Sequence, residues 1–302
     1  MVIASRDEIL YLNGTFMPLS EGRVSVEDRG FELGDGIYEV IKIMNGRPLW
    51  LEDHLERLDR SLGAIRLSEA LERHPLGSVL PELVARSGLE QGSVYLQVTR
   101  GYAPREFVFP AAPHPTVFAY ARSYPAPTPE EILRGTVLHP VEDLRWAHCD
   151  IKSTNLLAAV LAKEEAKEAG ADEALFMAPD GNVREGGSSN VFAVIDGVIR
   201  THPLSNRILG GITRKHALEI ARKLDYTVEE RAFTLAEIAR PSSTPCEVFT
   251  ASTLRDVMPV IRIGERTVGT GRPGPVTLAL LDAMRRAQAL AVSAQPPAPL
   301  VG

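Results

Sequence analysis

The chain has 302 residues, of which 44% are hydrophobic and 24% are charged, so it has the composition of a globular protein large enough for two domains. Its net charge of −6 argues against a general nucleic-acid-binding protein, which normally carries a basic face. The two cysteines argue against a disulfide framework, show no Cys/His metal spacing and favour a reducing cytoplasm. The sequence has no signal-like start and no apolar run long enough to span a membrane, so no membrane partner is expected.

The first part of the chain is dense in hairpin signals. Asn-Gly pairs at Asn13-Gly14 and Asn45-Gly46 favour tight turns between strands. Between these turns, residues 36–44 ("GIYEVIKIM") predict a half-buried strand. Residues 52–65 predict a helix, since their leucines recur at helical spacing. Further strands are predicted at 92–101 and 116–122.

The stretch "RSYPAPTPEE" at 122–131 is rich in proline, which stiffens an extended chain, and predicts a linker between two lobes. It separates a small N-terminal domain, 1–121, from a larger domain, 132–292, and residues 293–302 predict a flexible tail. In the larger domain, hairpin turns are predicted at Asp180-Gly181 and Asp196-Gly197, and helices at 153–169, 213–225 and 276–292. The order of these elements indicates two α+β lobes.

Lys152 lies at the junction between a predicted extended segment and the helix predicted at 153–169. Ser153 or Thr154 is expected to cap that helix, and one face of the helix is expected to be a buried apolar stripe. A helix N-terminus and burial both disfavour an ammonium ion, so this placement predicts a lowered lysine pKa and an amine able to attack a carbonyl. The alternative is a lysine whose stem packs and whose ammonium group reaches water. The predicted stripe comprises Leu156, Leu157, Val160 and Leu161.

Four other features each allow a binding role and a plain structural one. Glu185 precedes a Gly-Gly-Ser-Ser loop that could equally be a hairpin connection. Ile212 and Thr213 open a helix after Gly-Gly, where free amides can bind phosphate or simply be capped. Arg57 could hold a phosphate or pair with a carboxylate on its own helix. Ser252 and Thr253 follow a strand, as loop hydroxyls often do. Together an amine, a carboxylate and an anion cradle are what pyridoxal phosphate requires.

Five segments, in matching order and spacing, resemble the class IV aminotransferases of fold type IV, and most closely the bacterial D-amino-acid aminotransferases. The resemblance runs from about residue 5 to about residue 265. It implies an α+β fold of two lobes, with a small N-terminal lobe, a larger C-terminal lobe built on a β-barrel-like core, and the cofactor between them. The segments are "EDRGFELGDGIYEVIK" (27–42), "QVTRGYAPREFVFP" (97–110), "VEDLRWAHCDIKSTNLLAAVLAKEEA" (141–166), "REGGSSNVF" (184–192) and "GGITR" (210–214).

The resemblance implies a role for each candidate residue. Lys152 becomes the catalytic Schiff-base lysine, which also moves the substrate proton, and Glu185 the partner of the pyridine nitrogen. The implied enzyme transfers amino groups from D-amino acids to 2-oxo acids by a ping-pong mechanism. It is a homodimer in which the loop carrying Arg105 comes from the partner subunit. The other implied contacts are Ser188 near the ring, Leu209 on its face, Arg57, Ile212, Thr213, Ser252 and Thr253 at the phosphate, and Tyr38 and Arg105 at the substrate carboxylate.

One position departs from the family pattern, which has a histidine where this chain has Phe107. A phenyl ring cannot donate a hydrogen bond to a carboxylate, so weaker carboxylate binding and some turnover of (R)-primary amines are expected. Alternatives within the family are a branched-chain L-amino-acid aminotransferase and an aminodeoxychorismate lyase. The segment "GYAPREF" and the Tyr38 and Arg105 matches count against them. A non-catalytic cofactor carrier is an alternative of another class, although it would need only the phosphate cradle.

Overall fold

The structure is a computed structural model that describes residues 8–72, 74–240 and 244–295. Its internal contacts divide the chain into two units. Of the described residues, the first unit holds those up to Pro125, the segment Ile151–Asn155 and those from Ala289, and the second holds those within Ala126–Asp150 and Leu156–Gln288. The domain limits expected from the sequence remain predictions, and residues 296–302 of the expected tail lie outside the described residues.

In the first unit, the described strands form a six-stranded antiparallel sheet in the order β2-β1-β6-β5-β3-β4. Asn13-Gly14 joins β1 to β2 and Asn45-Gly46 joins β3 to β4, and all four residues have positive φ, as a tight hairpin turn requires. Both predicted hairpins are therefore confirmed. The strands are β1 (Ile9–Leu12), β2 (Thr15–Pro18), β3 (Gly36–Met44), β4 (Arg47–Pro48), β5 (Gln91–Thr99) and β6 (Thr116–Arg122).

Helices cover one face of this sheet: α2 (Leu51–Ala64) contacts β3, and α3 (Leu76–Ser87) contacts β1, β4 and β6. The short helix α1 (Arg29–Leu33) precedes β3. Ile37, Ile41 and Ile43 of β3 are fully buried in the core that these helices close. Strand β3 is thus half-buried as predicted, and α2 lies within one residue of its predicted bounds. Glu39 has the same parity as the isoleucines and is also fully buried.

The segment Ile151–Asn155 pairs with the beginning of β3. Tyr38 N donates to Lys152 O at 3.0 Å, Thr154 N donates to Gly36 O at 3.0 Å, and Ile37 and Ser153 form an antiparallel bridge. This pairing places Lys152 next to Tyr38 although 114 residues separate them in sequence. The C-terminal residues also join the first unit, because the Arg47 guanidinium donates to the carbonyls of Val292 at 3.0 Å and Gln295 at 2.5 Å.

In the second unit, the described strands form a nine-stranded sheet in which β10, β13, β14, β7, β8 and β9 are neighbours in that order. Strand β9 also pairs with β10, so these strands close into a barrel, as the family resemblance implied. The remaining strands extend the sheet from β10 and β14. The strands are β7 (Thr136–Glu142), β8 (Glu173–Met177), β9 (Val183–Gly186), β10 (Asn190–Ile195), β11 (Val198–Thr201), β12 (Val228–Glu229), β13 (Glu247–Ser252), β14 (Asp256–Ile263) and β15 (Arg266–Thr267).

The later helices include the two predicted at 213–225 and 276–292, which begin one residue earlier and end within two residues of the predicted positions. No helix within residues 8–72, 74–240 and 244–295 is long and apolar enough to cross a bilayer. The helices are α4 (Pro129–Arg134), α5 (Leu157–Glu168), α6 (Ile212–Lys223), α7 (Leu235–Ile238) and α8 (Pro275–Ser293).

Helix α5 corrects the prediction of a helix beginning at Ser153. It begins at Leu157, and among the described residues no side chain caps its N-terminus. Thr154 Oγ1 donates instead to the carbonyl oxygens of Gly34 and Gly36, at 3.1 and 3.3 Å. The Thr154 hydroxyl therefore binds backbone carbonyl groups that are distant in sequence and does not cap α5.

The buried stripe predicted on this helix is also wrong. Leu156, Leu157, Val160 and Leu161 are between 40% and 71% exposed in the chain. The buried residues of α5 are Ala162 and Ala166, whose small side chains pack with Val141, Ala174 and Phe176. The helix therefore lies on the sheet through its alanines and presents its large apolar side chains outward.

Candidate active site

Lys152 is half-buried in the extended segment that pairs with β3. Its Nζ lies 4.3 Å from the centroid of the Tyr38 ring, within the range of a cation–π contact. Its backbone N donates a long hydrogen bond, 3.4 Å, to Ser61 Oγ on α2. Because α5 begins five residues later, the predicted placement of Lys152 at a helix N-terminus is wrong. The amine is instead oriented by strand pairing and by the Tyr38 ring.

A buried ionic cluster lies in the same unit. The Arg57 fork donates from Nε to Glu39 Oε1 and from Nη2 to Glu39 Oε2, both at 2.7 Å, and His54 Nδ1 lies 2.8 Å from Glu39 Oε2. Burial acts to raise the pKa of Glu39, but the charge and hydrogen bonds of Arg57 and His54 outweigh it and lower that pKa to about 2. Burial lowers the pKa of His54. Arg57 was expected at a phosphate or beside a carboxylate of its own helix, and its bidentate partner on β3 was not foreseen.

The Glu39 cluster predicts a specific acid dependence of stability. The pKa of Glu39 is depressed when folded, so its contribution is present above pH 4.5 and is lost as pH falls toward 2. A depression of that size corresponds to about 3 kcal/mol at pH 7. Glu39→Gln should therefore lower the free energy of unfolding at pH 7, and the difference from wild type should shrink between pH 4.5 and 3. Urea unfolding across this range measures it.

The surface carboxylate Glu82, which pairs with Arg86 on α3, provides the control. Both side chains are 37% exposed, so Glu82→Gln should change the free energy of unfolding by less than about 1 kcal/mol at any pH. A Glu39→Gln deficit that stayed constant down to pH 3 would show that the carboxylate charge is not what stabilises the cluster.

Glu185, on β9, is the buried carboxylate of the second unit, and three donors surround it. Arg145 Nη1 donates to Oε1 at 2.5 Å, and Oε2 accepts from Asn190 Nδ2 at 3.1 Å and from the backbone N of Leu209 at 3.0 Å. Asn190 Nδ2 also donates to Leu209 O at 2.9 Å, which ties the segment before α6 to the barrel. These contacts fix both the carboxylate and Leu209 in place.

Arg145 forms ion pairs with both Glu185 and a second carboxylate, Asp143. The Arg145 guanidinium also donates to both oxygens of Asp143, at 2.9 Å each, and lies 4.0 Å from the centroid of the Phe176 ring. Burial raises the pKa of Glu185 to about 7, and Arg145 opposes that rise. The three groups that hydrogen-bond to the carboxylate are all donors, so these contacts favour its ionised form, and a further cationic donor would favour it more.

Helix α6 begins at Ile212 after Gly211, and no described side chain caps it. The first amides of a helix have no partner within it, so those of Ile212 and Thr213 can bind an anion. A Cβ on Gly211 would lie 2.1 Å from Asn190 Oδ1, so only glycine permits this close approach. Both predicted residues are thus placed where a phosphate can be bound, and α6 also packs against β13.

The other predicted cofactor-binding residues, Ser252, Thr253 and Ser188, have no contact within the described part of the chain that points to a ligand. Ser252 is the last residue of β13, and Thr253 follows it in a turn. Ser188 is exposed and contacts Glu173 and Lys163 through its Oγ, at 3.1 and 3.2 Å, whereas Asn190 on the same hairpin contacts Glu185. Their roles at a ligand stay predictions.

Arg105 and Phe107 lie in the loop between β5 and β6, and both are exposed. The Arg105 guanidinium carbon lies 6.0 Å from the centroid of the Phe107 ring, whose residue is 85% exposed. In the chain by itself this pair is therefore exposed to solvent.

Three site residues were missed by sequence reasoning: Glu39, Arg145 and Asn190. Glu39 sits among buried isoleucines of one parity, and a carboxylate on the apolar face of a strand was an available signal. Arg145 and Asn190 occur inside segments that carry the family resemblance, but no local pattern assigns them to Glu185.

Residues 36–263 match the model of the family "Amino-transferase class IV". The chain is 43% identical to a D-alanine aminotransferase of Bacillus licheniformis, over 88% of this chain and 92% of that protein. It is 40% identical to one of Staphylococcus haemolyticus, over 92% and 96%. Its fold is also similar to the branched-chain aminotransferase of the thermophilic archaeon Thermoproteus uzoniensis, solved with norvaline, with a TM-score of 0.79, 27% identity and coverage of 92% and 93% of the two chains.

These likenesses confirm the predicted family, the fold type IV architecture and the aminotransferase activity. The match extends over both units, from β3 to the end of β14, and so covers Lys152, Glu185 and the start of α6. The chain therefore belongs to the class IV aminotransferases.

Proposed function

We propose that this chain is a transaminase that transfers the amino group of D-amino acids, such as D-alanine and D-glutamate, to 2-oxo acids. The substrate class is supported by the D-alanine aminotransferases, which are 40% and 43% identical to it over most of its length. The chemistry is carried by one observation above all, the half-buried Lys152 amine held against Tyr38 by pairing with β3. Membership of the family also confirms the predicted dependence on pyridoxal phosphate.

The residues present fit this cofactor. A carboxylate offers about four acceptor positions, and three donors from the described residues occupy three of those on Glu185. One position is left for a protonated ring nitrogen. The uncapped amides of Ile212 and Thr213 suit the phosphate, and we assign Arg57, Ser252 and Thr253 to the same group. Leu209 would pack on the ring face and Ser188 would lie near the ring.

Pyridoxal phosphate, when bound, supplies an aldehyde that condenses with amines and a ring that delocalises the electron pair left at a substrate α-carbon. Lys152 Nζ then takes the proton from the α-carbon and later returns it, acting as base and then as acid. Glu185 holds a negative charge that favours the protonated form of a heterocyclic nitrogen placed against it. Arg145 and Asn190 hold Glu185 in position throughout.

Substrate recognition is assigned to Tyr38 and Arg105, which would receive the α-carboxylate. Phe107 cannot donate a hydrogen bond, so a carboxylate loses one partner relative to the family histidine. This loss supports the expectation that (R)-primary amines without a carboxylate are also turned over.

Phe107→His should therefore strengthen carboxylate binding. One regained donor is worth about 1–3 kcal/mol, so KM for D-alanine should fall by roughly five- to hundredfold with little change in kcat. Turnover of an (R)-arylalkylamine should fall in the same variant. Val108→His places an imidazole at the next exposed position of the loop and should leave both substrates unaffected. Equal D-alanine KM values in wild type and Phe107→His would refute the role given to Phe107.

A transamination panel tests the function itself. D- and L-amino acids and (R)-amines are offered with pyruvate or 2-oxoglutarate as acceptor, and D-amino acids should react fastest. Initial rates at several concentrations of both substrates should give parallel double-reciprocal lines, as a ping-pong mechanism requires. Faster turnover of L-leucine would establish the branched-chain alternative, and release of pyruvate from aminodeoxychorismate without an acceptor would establish the lyase.

A homodimer forms part of this proposal. Leu157, Val160 and Leu161 lie at i, i+3 and i+4 on α5 and are 58–71% exposed. An exposed apolar stripe of this kind marks a contact surface, and a second copy of the chain is the occupant we assign to it. The exposed Arg105 loop would then serve the site of the partner subunit.

Val160→Glu should weaken this dimer, since burying an unpaired carboxylate is unfavourable. We expect its dissociation constant to rise by at least about 100-fold, with activity lost in proportion to dissociation. Multi-angle light scattering over a dilution series measures the mass. Lys167→Glu, at a 74%-exposed side chain of the same helix, is the control and should stay dimeric. A wild-type protein of monomer mass at assay concentration would exclude the homodimer.

We place the protein in the cytoplasm, as the sequence predicted. Burial raises the pKa of the Cys149 thiol to about 11 and that of Cys246 to about 12. Both cysteines are free, which suits a reducing compartment.

A further inference from the structure

The loop between β5 and β6 is closed tightly at its base. Gly101 bridges His114, and the Tyr102 and His114 rings stack with centroids 5.5 Å apart. Gly101 has a φ of +82°, and a Cβ there would lie 1.5 Å from the His114 carbonyl oxygen. The two ends of the loop therefore approach each other as closely as glycine allows.

Next to this loop lies a largely buried cluster, here called the loop clamp, made of Arg29, Asp35 and Arg100. Arg29 Nε donates to Asp35 Oδ2 at 2.9 Å, and Arg100 donates from Nε to Oδ2 at 2.8 Å and from Nη2 to Oδ1 at 3.1 Å. Both arginines are 2% exposed. One carboxylate thus orients two guanidinium groups through charge-assisted hydrogen bonds.

Each arginine of the clamp has a further contact with the loop. Arg29 Nη1 donates to the carbonyl oxygen of Glu106 at 2.5 Å. The Arg100 guanidinium carbon lies 3.6 Å from the centroid of the Phe109 ring. These two contacts lie on either side of Phe107, and the first is one residue from Arg105. The clamp therefore holds the loop backbone next to the two exposed side chains that were assigned to the substrate.

The clamp is also tied to the elements that carry other site residues. Arg100 Nη2 donates to the carbonyl oxygen of Ile65 at 2.7 Å, and its Nη1 to that of Arg66 at 3.3 Å, both just after the C-terminal end of α2. Asp35 immediately precedes β3. Loop, helix and strand are thus connected by the hydrogen bonds of largely buried side chains.

We propose that Arg29, Asp35 and Arg100 are positioning residues that set the location of Arg105 for binding the substrate carboxylate. The inference rests on the proposed function, because that function assigns Arg105 its ligand. A guanidinium group that is hydrogen-bonded to a carboxylate has a fixed orientation, and it restricts the motion of a loop that it contacts. Small displacements of a binding group weaken binding strongly, so a loosened loop should raise KM before it lowers kcat.

Two variants loosen the loop without opening the core. Phe109→Leu removes the ring from Arg100, and because Phe109 is 49% exposed the change should leave the fold intact. Arg29→Lys keeps the charge but cannot reach Asp35 and the Glu106 carbonyl together. Arg86→Lys is the control: Arg86 also has a carboxylate partner, Glu82, and an aromatic ring 4.6 Å away, that of Phe16, but it lies on α3 and not on the clamp.

Hydrogen exchange and kinetics on the wild-type holoenzyme and the three variants test the proposal. Amides of residues 103–113 should exchange roughly tenfold faster in Phe109→Leu and Arg29→Lys, with those of β3 and β5 unchanged. KM for D-alanine should rise about five- to twentyfold in both, with kcat within about twofold of wild type. Arg86→Lys should match wild type in every measurement.

The outcomes separate the inference from the function on which it rests. Unchanged loop exchange, or faster exchange with an unchanged KM, in an enzyme that turns over D-alanine would overturn the positioning role alone. A wild-type holoenzyme without D-alanine turnover would overturn the proposed function and, with it, the carboxylate role of the loop.

Discussion

Replacing Lys152 with alanine should lower kcat/KM for D-alanine by at least about 10⁴-fold, because the variant lacks the amine that both condenses with the cofactor and moves the α-proton. Folding should be little affected, since the side chain is half-buried and its backbone pairing with β3 does not depend on it. Steady-state kinetics with D-alanine and 2-oxoglutarate measure the loss. Added methylamine should restore part of the turnover by supplying a diffusible base.

Lys167→Ala provides the control for this result, since Lys167 is an exposed lysine paired with Glu164 on α5. The Lys167→Ala variant should retain the activity of the wild-type enzyme and the absorbance of its bound cofactor. Borohydride reduction of the holoenzyme should attach the pyridoxyl group to Lys152 in the wild type, as peptide mass spectrometry would show. Attachment to another lysine, or full activity in Lys152→Ala, would reject the assignment.

The second large effect is expected at Glu185. Glu185→Gln keeps the size of the side chain but removes its charge, so a ring nitrogen placed against it would no longer be held in the protonated form. Loss of a preorganised electrostatic partner typically lowers kcat by roughly 10²- to 10³-fold. Cofactor affinity should change much less, because the phosphate is assigned to other residues. Single-turnover rates and cofactor titration by fluorescence separate the two effects.

Glu247→Gln is the matched control, because Glu247 is also buried in the second unit and accepts hydrogen bonds from the start of α8. It should reduce the free energy of unfolding without changing kcat of the folded enzyme. If Glu185→Gln behaved in the same way, losing stability but not turnover, Glu185 would be a structural residue only.

The sequence predicted best those features that depend on neighbouring residues. The Asn-Gly hairpins, the parity of the isoleucines in β3 and the position of the helix α6 are local features, and the structure confirms them. The two errors on α5 have a different origin. Thr154 was taken from its expected cap by carbonyl groups about 120 residues away, and no pattern within one helix shows which face has a partner.

The same distinction between local and distant contacts applies to the candidate site. Residues that stand in recognisable motifs, such as Lys152, Glu185 and Ile212, could be named from the sequence. Their supports could not, because Arg57 is oriented by Glu39 across 18 residues and Glu185 by Arg145 across 40. Such pairs depend on how segments distant in sequence pack together, which the spacing of residues does not reveal.

The composition of the first unit has a consequence for biosynthesis. A ribosome that has released residues up to Pro125 has delivered the sheet strands of that unit, but the start of β3 still lacks Ile151–Asn155, and Arg47 lacks the carbonyls of Val292 and Gln295. The nascent chain must therefore leave one strand edge incomplete until Asn155 emerges, and Arg47 cannot make these two contacts until Gln295 emerges. Lys152 is synthesised after the six strands of this sheet, so its amine can contact Tyr38 only once those strands have been made.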